Sequence, residues 1–540
     1  MSSLDFLLRR RAASHAVCKD DGRPEAGAAA AAAMDGHRSA VAAIAERVKD
    51  FHREQRAFRI YHGSTNSTRR SERRRDNTVD TSELSRVLRI DRDAKTATVE
   101  PNVPMDTLVE ATLPHGLMPQ VVMEFPGITV GGGFSGSSGE SSSFRFGGFE
   151  ATIKSIEIVL PTGEVMTASK DEKPDLFWGA ASSFGTLGVV TLLEVQLIEA
   201  KSYVELTYHL CGGGGEMVER IRSETERPEN DYVDAIAFTP ESTLICTGKL
   251  VDALPPGAKA RTFTRRQDPW FYIRAEQVRK RLRAGSGTET DFVPLVDYLF
   301  RYDRGAFWTA RNAFRYFRTP FNRITRFLLD GYLHTRVMYR AMHQSGLSDS
   351  YLVQDVGIPL SRAAEFQRWV HDELGIELVW LCPLRVRREG PDARHGLHAA
   401  FADAAAPDLL NFGVWGAAPL DGAEAVRRNR ALEAKVRQLG GVKWLYSHAY
   451  YAEDEFWAHY DRAAYDAVRT RYGADYLPSV YDKVKIETAT AVPATRTGRL
   501  RARLGRVWPV RGLYGVYKAI RGGDYLLQKG RSRAAAKKEA

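Results

Sequence analysis

Glycine and serine make up thirteen of the 21 residues from Thr129 to Phe149. Residues without bulky side chains let the backbone approach a ligand closely and turn its N–H groups toward it. A pyrophosphate group, which accepts hydrogen bonds from such N–H groups, is the kind of ligand that this composition suits. A flexible Gly/Ser linker is the alternative interpretation of the same run.

Predicted strands on both sides of this glycine-rich run argue against a linker. Residues 97–101 read as a strand that ends at Pro101, and residues 153–160 alternate in polarity before the turn 161–163. A linker would not be built into a sheet on both sides. The run is therefore interpreted as a ligand-binding segment of a folded domain.

Two further runs of small residues also adjoin predicted strands. Residues 62–67 follow a short strand at 58–60, and residues 185–188 precede a long β-rich segment at 189–198. Apolar residues at helical spacing predict a helix over 37–56, and a second helix is predicted over 105–115. Residues 37–200 thus form an α+β unit with three small-residue turns.

The composition of the 540-residue chain is that of a globular protein with two or three domains. Its four cysteines lie far apart, which excludes a disulfide framework and a Cys-rich zinc site and fits a reducing compartment. No stretch approaches the roughly 18 apolar residues of a membrane-spanning helix. The order of apolar and basic residues in 1–11 does not fit a secretory signal.

The net charge of +10 is concentrated at the C-terminus. Residues 496–540 contain thirteen Lys and Arg against two acids, or +11, so the rest of the chain carries about −1. This distribution gives no reason to expect nucleic-acid binding by the body. Apolar and aromatic residues alternate with the cations, which suits a membrane surface, whereas a solvated charge run is the alternative. Pro509, Gly512 and Gly515 are expected to break any long helix here.

From residue 201 onward the pattern changes. Strands are predicted over 203–210, 233–249, 351–360 and 377–386, and helices over 269–283, 306–343, 361–374, 422–439 and 453–472. Residues 261–343 are rich in Arg and aromatic residues. They are interpreted as a helical core, with a wall for a bulky apolar ligand or a lipid contact as the alternative.

Several blocks, taken in order, resemble the FAD-binding domain of the vanillyl-alcohol-oxidase (PCMH-type) superfamily, and within it the delta-24 sterol reductase (Diminuto/seladin) family. In the N-terminal half the blocks are residues 62–67, 99–101, 129–149, 175–177 and 185–188. In the C-terminal half they are residues 353–355, 380–383, 455–457 and 480–483. The resemblance covers about residues 37–490.

This resemblance implies an α+β fold with two lobes. The implied lobes are an FAD-binding PCMH-type domain (36–200) and a substrate or cap domain (201–490). They lie between an Ala/Gly-rich N-terminal segment (1–35), expected from its composition to be disordered, and the basic tail (491–540). The residues implied to contact FAD are Gly63, Ser64, Thr65, Asn66, Ser67, Thr129, Val130, Gly131, Gly132, Gly133, Phe134, Ser135, Gly136, Ser137, Ser138, Gly139, Glu140, Ser141, Gly185, Thr186, Gly188 and Val189.

The mode of flavin attachment depends on one departure from the superfamily. Many members attach flavin covalently through a His in the first loop, where this chain has Asn66. Because Asn cannot form that bond, non-covalent FAD is expected, and His62 is expected to have a structural role. No metal site is expected.

The implied reaction is reduction of the C24–C25 double bond of a sterol side chain, with NADPH reducing the FAD. An isolated alkene needs a proton donor, a hydride and a dry pocket with aromatic side chains. The candidate acid–base residues are Asp355, Tyr446, Glu455, Tyr481 and Lys483, with Tyr450 and Asp482 as further candidates. Each of them could instead make only a structural hydrogen bond.

Two rival functions remain open on the sequence alone. One is an FAD oxidase or dehydrogenase of a sugar, lactone or alcohol, and the other is a non-enzymatic, membrane-associated flavoprotein scaffold. The expected location is the cytoplasmic face of the endoplasmic reticulum, by peripheral contact through the basic tail, and otherwise the cytoplasm. The expected partners are a sterol or other small molecule and a membrane surface.

Overall fold

The computed structural model describes residues 24–63, 67, 69, 73–282, 287–347, 351–390, 392–417, 422–486, 508–522 and 527–528. Within them, two large sheets and the helices packed on them give the mixed α+β architecture expected of the two-lobe fold. One continuous core of buried apolar side chains runs from the first sheet to the second. The two halves are therefore packed against each other.

The N-terminal half is built on an antiparallel sheet with strand order β4-β5-β9-β7-β8, in which β6 pairs with β9. The strands are β4 (Val87–Asp91), β5 (Thr96–Val99), β6 (Leu117–Pro119), β7 (Ile153–Val159), β8 (Val165–Ser169) and β9 (Val189–Glu199). The burial of β9 alternates from residue to residue, as the period of a strand requires. The strands predicted at 97–101, 153–160 and 189–198 are confirmed.

Three short strands lie outside this sheet in the same half. Strand β1 (Arg59–Tyr61) pairs in parallel with β3 (Thr78–Asp80), and β2 (Arg73–Arg74) pairs with β18 (Leu527–Gln528) near the C-terminus. The strand expected at 58–60 is thus confirmed as β1, which delivers the chain to the turn that begins at His62.

A long helix, Pro24–Arg53, covers the first sheet with the predicted stripe of Val41, Ile44, Val48 and Phe51, all buried. The helix begins well before residue 37, so the expectation of disorder up to residue 35 is wrong for residues 24–35. Alanine dominates this segment, and alanine has the highest helix propensity of all residues. The other predicted helix is confirmed as Met105–Thr112, followed by a 3₁₀ turn, Leu113–His115.

The glycine-rich run is more ordered than a loop. It opens with a helix, Val130–Gly136, whose first turn is capped by the Thr129 side chain, which accepts a hydrogen bond from the Gly132 N–H. Ser137 then turns the chain in a left-handed conformation, with φ of 52°. The further helical segments in this half are Ser143–Phe146, the 3₁₀ turns Arg75–Asn77 and Phe149–Thr152, and Pro174–Ala180.

The C-terminal half is built on an eight-stranded antiparallel sheet in the order β13-β10-β12-β11-β15-β16-β14-β17. The strands are β10 (Tyr203–Cys211), β11 (Tyr232–Thr239), β12 (Ser242–Val251), β13 (Thr288–Pro294), β14 (Tyr351–Pro359), β15 (Val379–Leu384), β16 (Leu409–Ala417) and β17 (Val442–Lys443). The segment predicted as one strand at 233–249 is a hairpin of β11 and β12. Strands β13 and β16 were not predicted.

The C-terminal half also contains a series of helices, some of which pack on this sheet. They are Gly215–Thr225, Phe271–Arg281, Leu295–Leu299, Ala310–Tyr316, Arg323–Leu329, Thr335–Ser345, Ala363–Leu374, Gly422–Gln438, Glu453–His459, Arg462–Arg471 and Val480–Val484, with 3₁₀ turns at Asp330–Tyr332, Leu360–Arg362 and Ala399–Ala402. The region predicted as helical at 306–343 contains three short helices, since Pro320 and the turn at 330–332 interrupt it.

A final helix, Val510–Arg521 (the C-terminal helix), packs on Thr335–Ser345 (the cap helix). The expectation that Gly512 and Gly515 break this helix is wrong. Both glycines are buried: a Cβ added at Gly515 would lie 2.5 Å from the Ala341 carbonyl oxygen of the cap helix, and one added at Gly512 would meet the rings of Tyr316 and Phe317. The glycines therefore allow close approach of two helices, which offsets their poor helix propensity. The rest of the basic tail lies outside the described residues.

Candidate functional site

A cavity of about 990 Å³ lies where the two halves meet. One wall, the glycine wall, comes from the glycine-rich run and the turns around His62 and Gly185. The opposite wall, the cap wall, comes from β14, β15, β16 and the segments near residues 307, 339 and 446. Cavities at such junctions are common binding sites for cofactors and their substrates.

Half of the residues implied to contact FAD line this cavity. They are Ser67, Thr129, Gly131, Gly132, Ser135, Gly136, Ser137, Ser138, Gly139, Gly185 and Gly188. Since they come from three separate turns, the structure brings together the segments that the sequence analysis placed at one site. Ser64, Thr65 and Asn66 lie outside the described residues.

The other implied FAD contacts do not line the cavity. Val130, Gly133, Phe134, Thr186 and Val189 are packed in the interior or nearly so, and Gly63 lies beside the lining. Glu140 and Ser141 face a different, buried network. There the Glu140 carboxylate lies 3.8 Å from the guanidinium of Arg301, which also pairs with Asp234 at 2.9 Å. For these two residues the structure favours a role in joining the halves.

The glycine wall fits a bulky anionic cofactor. A Cβ at Gly131 would lie 2.6 Å from Pro101, and one at Gly139 would lie 2.5 Å from Leu384, so neither position has room for a side chain. The backbone is thus bare where the wall faces the cavity. Arg59 and Arg69 also line the cavity and supply positive charge for a pyrophosphate. Sequence analysis missed both arginines, because they lie in an Arg-rich stretch without a distinguishing motif.

The register of strands β14, β15 and β16 determines which polar and aromatic side chains lie together on the cap wall. Asp355 on β14 lies opposite Gly413 on β16, which in turn lies opposite Trp380 on β15. Residues two positions along a strand share a face, so Asn411 and Trp415 flank this row. A Cβ at Gly413 would lie 2.5 Å from the Trp415 indole. Glycine at this position therefore lets the indole lie over the strand.

Asp355 is the centre of a hydrogen-bonded group on the cap wall. The Tyr446 hydroxyl donates to its Oδ2 at 2.7 Å, and the Asn411 amide donates to its Oδ1 at 3.2 Å. Burial raises the pKa of Asp355 to about 6, although the hydrogen bonds from Tyr446 and Asn411 lower it. At neutral pH this carboxyl group is thus mostly ionised and orients the tyrosine.

Glu124 is a second carboxyl group on the cavity lining, and sequence analysis missed it. Burial raises its pKa to about 8, and the carboxylates of Glu140 and Asp355 add to the effect, whereas Arg301 opposes it. Glu124 therefore carries a proton at neutral pH. Glu124 lies just before the glycine-rich run. A single acidic residue among the apolar residues of the segment from Val121 to Phe125 was the sequence signal that could have indicated a buried carboxyl group.

Asp355, Tyr446 and Lys483 are the predicted catalytic residues that the structure brings together at the cavity. Lys483 donates to the Phe184 carbonyl at 2.9 Å and so also ties the C-terminal half to a flavin-domain turn. Ser67 donates to the Tyr446 carbonyl at 2.6 Å. These contacts connect the two walls directly.

The remaining candidates do not line the cavity. Glu455 caps its own helix and accepts hydrogen bonds from Arg430, and Tyr481 packs on Phe456. Asp482 caps the helix Val480–Val484 through Ser479. Their contacts are structural, and so a catalytic role for Glu455 and Tyr481 gains no support from the geometry.

Aromatic rings cover the cap wall around Asp355. The Phe307 ring lies 4.3 Å from Trp415 and 5.2 Å from Trp380, measured between centroids, and the two indoles stack at 6.0 Å. Such faces exclude water and stabilise positive charge. The cap wall can thus hold an apolar group beside two carboxyl groups.

Comparison with known proteins identifies the cofactor. Residues 39–169 match the family described as FAD binding domain, and these residues build most of the glycine wall. The chain is therefore an FAD-dependent oxidoreductase, and the segment that matches the FAD-binding family supplies most of one wall of the cavity. Arg59, His62 and Arg69 belong to the matched segment.

The most extensive similarities reach beyond that domain. The Delta(24)-sterol reductase of Homo sapiens is 27% identical over 407 residues, which cover 74% of this chain and 76% of that protein. The Delta(24)-sterol reductase of Pisum sativum is 29% identical over 441 residues, with 75% and 76% covered. Cytokinin dehydrogenase 7 of Oryza sativa is 32% identical over only 104 residues. The resemblance to the delta-24 sterol reductases predicted from the sequence is confirmed.

Proposed function

We propose that this protein reduces the C24–C25 double bond of a sterol side chain, with NADPH as the electron donor. One observation carries the proposal: an aromatic wall lies across the cavity from the glycine wall, and the cavity lining carries one protonated carboxyl group, Glu124, and one ionised carboxyl group, Asp355. The similarity to Delta(24)-sterol reductases over both halves of the chain supports the same assignment.

The chemistry requires one hydride and one proton. When bound in its reduced form, FAD supplies the hydride, which together with the proton adds two hydrogens across the double bond. Glu124 is the proton donor in this scheme, because its raised pKa keeps it protonated at neutral pH. Its proton goes to C24, and positive charge then develops on C25.

The cap wall stabilises that charge and holds the substrate. The indoles of Trp380 and Trp415 face an apolar side chain and can interact with a cationic carbon. Asp355, ionised with a pKa of about 6, holds the Tyr446 hydroxyl in one orientation. Two carboxyl groups whose pKa values are pushed apart thus take two roles, a division that enzymes use for acid–base pairs.

The electron donor and the flavin linkage are further parts of the proposal. Each alkene reduction consumes two electrons, so FAD must be reduced again from outside, and NADPH is the proposed source. FAD is proposed to be bound without a covalent link, because Asn66 cannot form one. Acid precipitation should then release all yellow colour to the supernatant, and flavin that stays with the pellet would refute this part.

A peripheral location at the cytoplasmic face of the endoplasmic reticulum, and otherwise in the cytoplasm, is proposed from the basic C-terminal tail. Between residues 496 and 540 the chain carries a net charge of +11. Within the described ranges, no helix combines the length and apolar character needed to cross a bilayer. A sterol is nearly insoluble in water, so contact with a membrane would supply the substrate.

The rival functions are less well supported. An oxidase of a sugar, lactone or alcohol would not account for the similarity of the C-terminal half to sterol reductases. A non-enzymatic scaffold would not need a protonated carboxyl group on the cavity lining.

The decisive experiment has two parts. In the first part, anaerobic NADPH should bleach the flavin absorbance. In the second part, a side-chain-unsaturated sterol is added; the flavin absorbance should return, and mass spectrometry should show that the sterol has gained two hydrogens. Asp355→Asn should slow the second part, whereas Glu455→Gln, a carboxyl change outside the cavity lining, should not. Peroxide release with a sugar or lactone, without conversion of any sterol, would refute the proposal.

A further inference from the structure

In the part of the chain that the structure describes, the exposed large apolar side chains are concentrated in two segments. Of the eleven such side chains in the part that the structure describes, nine lie in residues 324–328 and 508–520. We call these nine the apolar face. They are Ile324, Phe327, Leu328, Trp508, Val510, Leu513, Tyr514, Tyr517 and Ile520. Exposed apolar side chains concentrated in this way mark an interaction surface.

The C-terminal helix presents its part of the apolar face in a fixed orientation. Val510, Leu513, Tyr514 and Tyr517 follow the i, i+3, i+4, i+7 spacing of one helical stripe, and all four are exposed. The buried glycines occupy the opposite side of the helix, with Gly515 against the cap helix and Gly512 against Tyr316 and Phe317. Arg511 adds a hydrogen bond to the Ser345 carbonyl at 2.7 Å. The helix is therefore docked on the protein by one side and exposes its apolar residues on the other.

Positive charge surrounds the apolar face. Residues 310–329 contain five arginines, and residues 508–522 contain two arginines and one lysine, whereas neither segment contains an acidic residue. Arg311, Arg315, Arg318 and Arg323 are exposed. Apolar and aromatic side chains on segments that carry cations and no acids are complementary to a membrane with anionic headgroups.

The cavity reaches the apolar face. Leu513 is 54% exposed and also lines the cavity, as do Val516 from the same helix and Leu329 from the helix Arg323–Leu329. Phe317, which packs against Gly512, lines it too. The cavity thus extends from the glycine wall to the surface where the apolar residues are exposed.

We propose that the apolar face docks on an anionic lipid membrane and that the mouth of the cavity opens onto that membrane. Ile324, Leu328, Tyr517 and Ile520 enter the interface while the surrounding arginines contact the headgroups. A lipophilic ligand then passes from the bilayer into the cavity beside Leu513 without crossing water. Only the identity of that ligand rests on the proposed function.

Vesicle flotation tests the docking surface directly. The full chain, with FAD bound, should float with phosphatidylcholine vesicles that contain phosphatidylserine and less well with pure phosphatidylcholine or added salt. Ile324→Ser, Leu328→Ser, Tyr517→Ser and Ile520→Ser combined should weaken partitioning at least about tenfold, because exposed apolar area supplies the binding. The matched control is Val165→Ser with Val296→Ser, the two exposed apolar residues outside the face, and it should float like the wild type.

Activity measurements separate this inference from the proposed function. With sterol in detergent micelles the fourfold variant should match the wild type, and with sterol in vesicles it should be at least about tenfold slower. If no variant reduces a sterol but flotation still depends on the face, the proposed function fails and the docking surface stands. Equal flotation of the fourfold variant and the wild type overturns the inference. So does a wild type that sediments as a dimer, fails to float, and becomes a monomer when the face is changed.

Discussion

Replacement of Glu124 by Gln should have opposite effects on stability and on activity. In the unfolded chain Glu124 ionises with a pKa near 4.5, whereas in the cavity the pKa is raised to about 8. Between these values the folded state binds more protons than the unfolded state, so stability falls as pH rises from about 4.5 to about 8. At about 1.36 kcal/mol per pH step, the cost at pH 7 is at most about 3 kcal/mol. Solvent in the open cavity reduces that figure.

Glu124→Gln removes this cost, so the variant should be more stable than the wild type at pH 7 and above by about 1–3 kcal/mol. The amide cannot donate a proton as the acid does, and alkene reduction should fall by about 10²-fold or more. Reduction of the bound flavin by NADPH should be unchanged. In the wild type, alkene reduction should decline above about pH 8, where the acid loses its proton.

Urea unfolding at pH 5, 7 and 9 and single-turnover flavin reoxidation by sterol are the two assays. Glu83→Gln, an exposed glutamate in the same half, is the control for both. Asp355→Asn should move the alkaline decline to lower pH, because the Asp355 charge helps to raise the pKa of Glu124. A Glu124→Gln protein that is no more stable at pH 9 and reduces the alkene at the wild-type rate would refute the reasoning.

Three further changes have defined outcomes. Tyr446→Phe removes the hydroxyl that donates to Asp355 at 2.7 Å. Because that hydrogen bond lowers the pKa of Asp355, the pKa should rise above about 6 in the variant. Alkene reduction should slow about tenfold. Gly136→Val should abolish flavin binding yet fold, because a Cβ there meets protein only at 3.8 Å; absorbance and thermal unfolding report the two effects. Burial lowers the pKa of His37, but the hydrogen bonds that its ring donates to the carboxylates of Glu100 and Glu157 raise it to about 9. The resulting stabilisation is complete below about pH 6.5, is lost as pH rises to about 9, and is at most about 3 kcal/mol. His37→Gln should flatten that part of the unfolding curve.

Matched substitutions control these three experiments. Tyr476→Phe removes a tyrosine hydroxyl that bonds to the Pro161 carbonyl, Gly422→Val adds a side chain where no atom lies within 4 Å, and His371→Gln changes a histidine on the surface. None should alter alkene reduction, flavin occupancy or the alkaline slope of stability. Equal effects from a control and its test variant would mean that the named contact is not the cause.

The sequence was most informative where local rules determine structure. The strands beside the glycine-rich run and the helix with Val41 and Val48 could be predicted, because hydrophobic period and turn residues fix them. Strand β16 could not be predicted, because Gly413 and Gly416 interrupt its apolar pattern. The absence of side chains at these two glycines leaves room for the side chains of Trp415 and Ile376, respectively. Tertiary packing outweighed local propensity there.

The site was only partly predictable for a related reason. Asp355, Tyr446 and Lys483 were reached through the resemblance, yet no residue-level signal separated them from Glu455, which lies outside the cavity lining. A pKa raised by burial depends on atoms far apart in the chain, and the pKa of Glu124 is raised first by burial and then by the carboxylates of Glu140 and Asp355. Such a property has no local pattern.

Glycine illustrates why composition alone does not locate a site. Gly131 leaves no room for a side chain because Pro101 packs against it, Gly413 makes space for an indole, and Gly515 lets two helices touch. Gly136 combines open space at its Cβ position with a place on the cavity lining. The bare backbone that a pyrophosphate needs is thus produced by packing behind the wall as much as by the residues that face it. A substitution behind the wall should therefore reduce stability and flavin binding together, whereas one at Gly136 should reduce flavin binding alone.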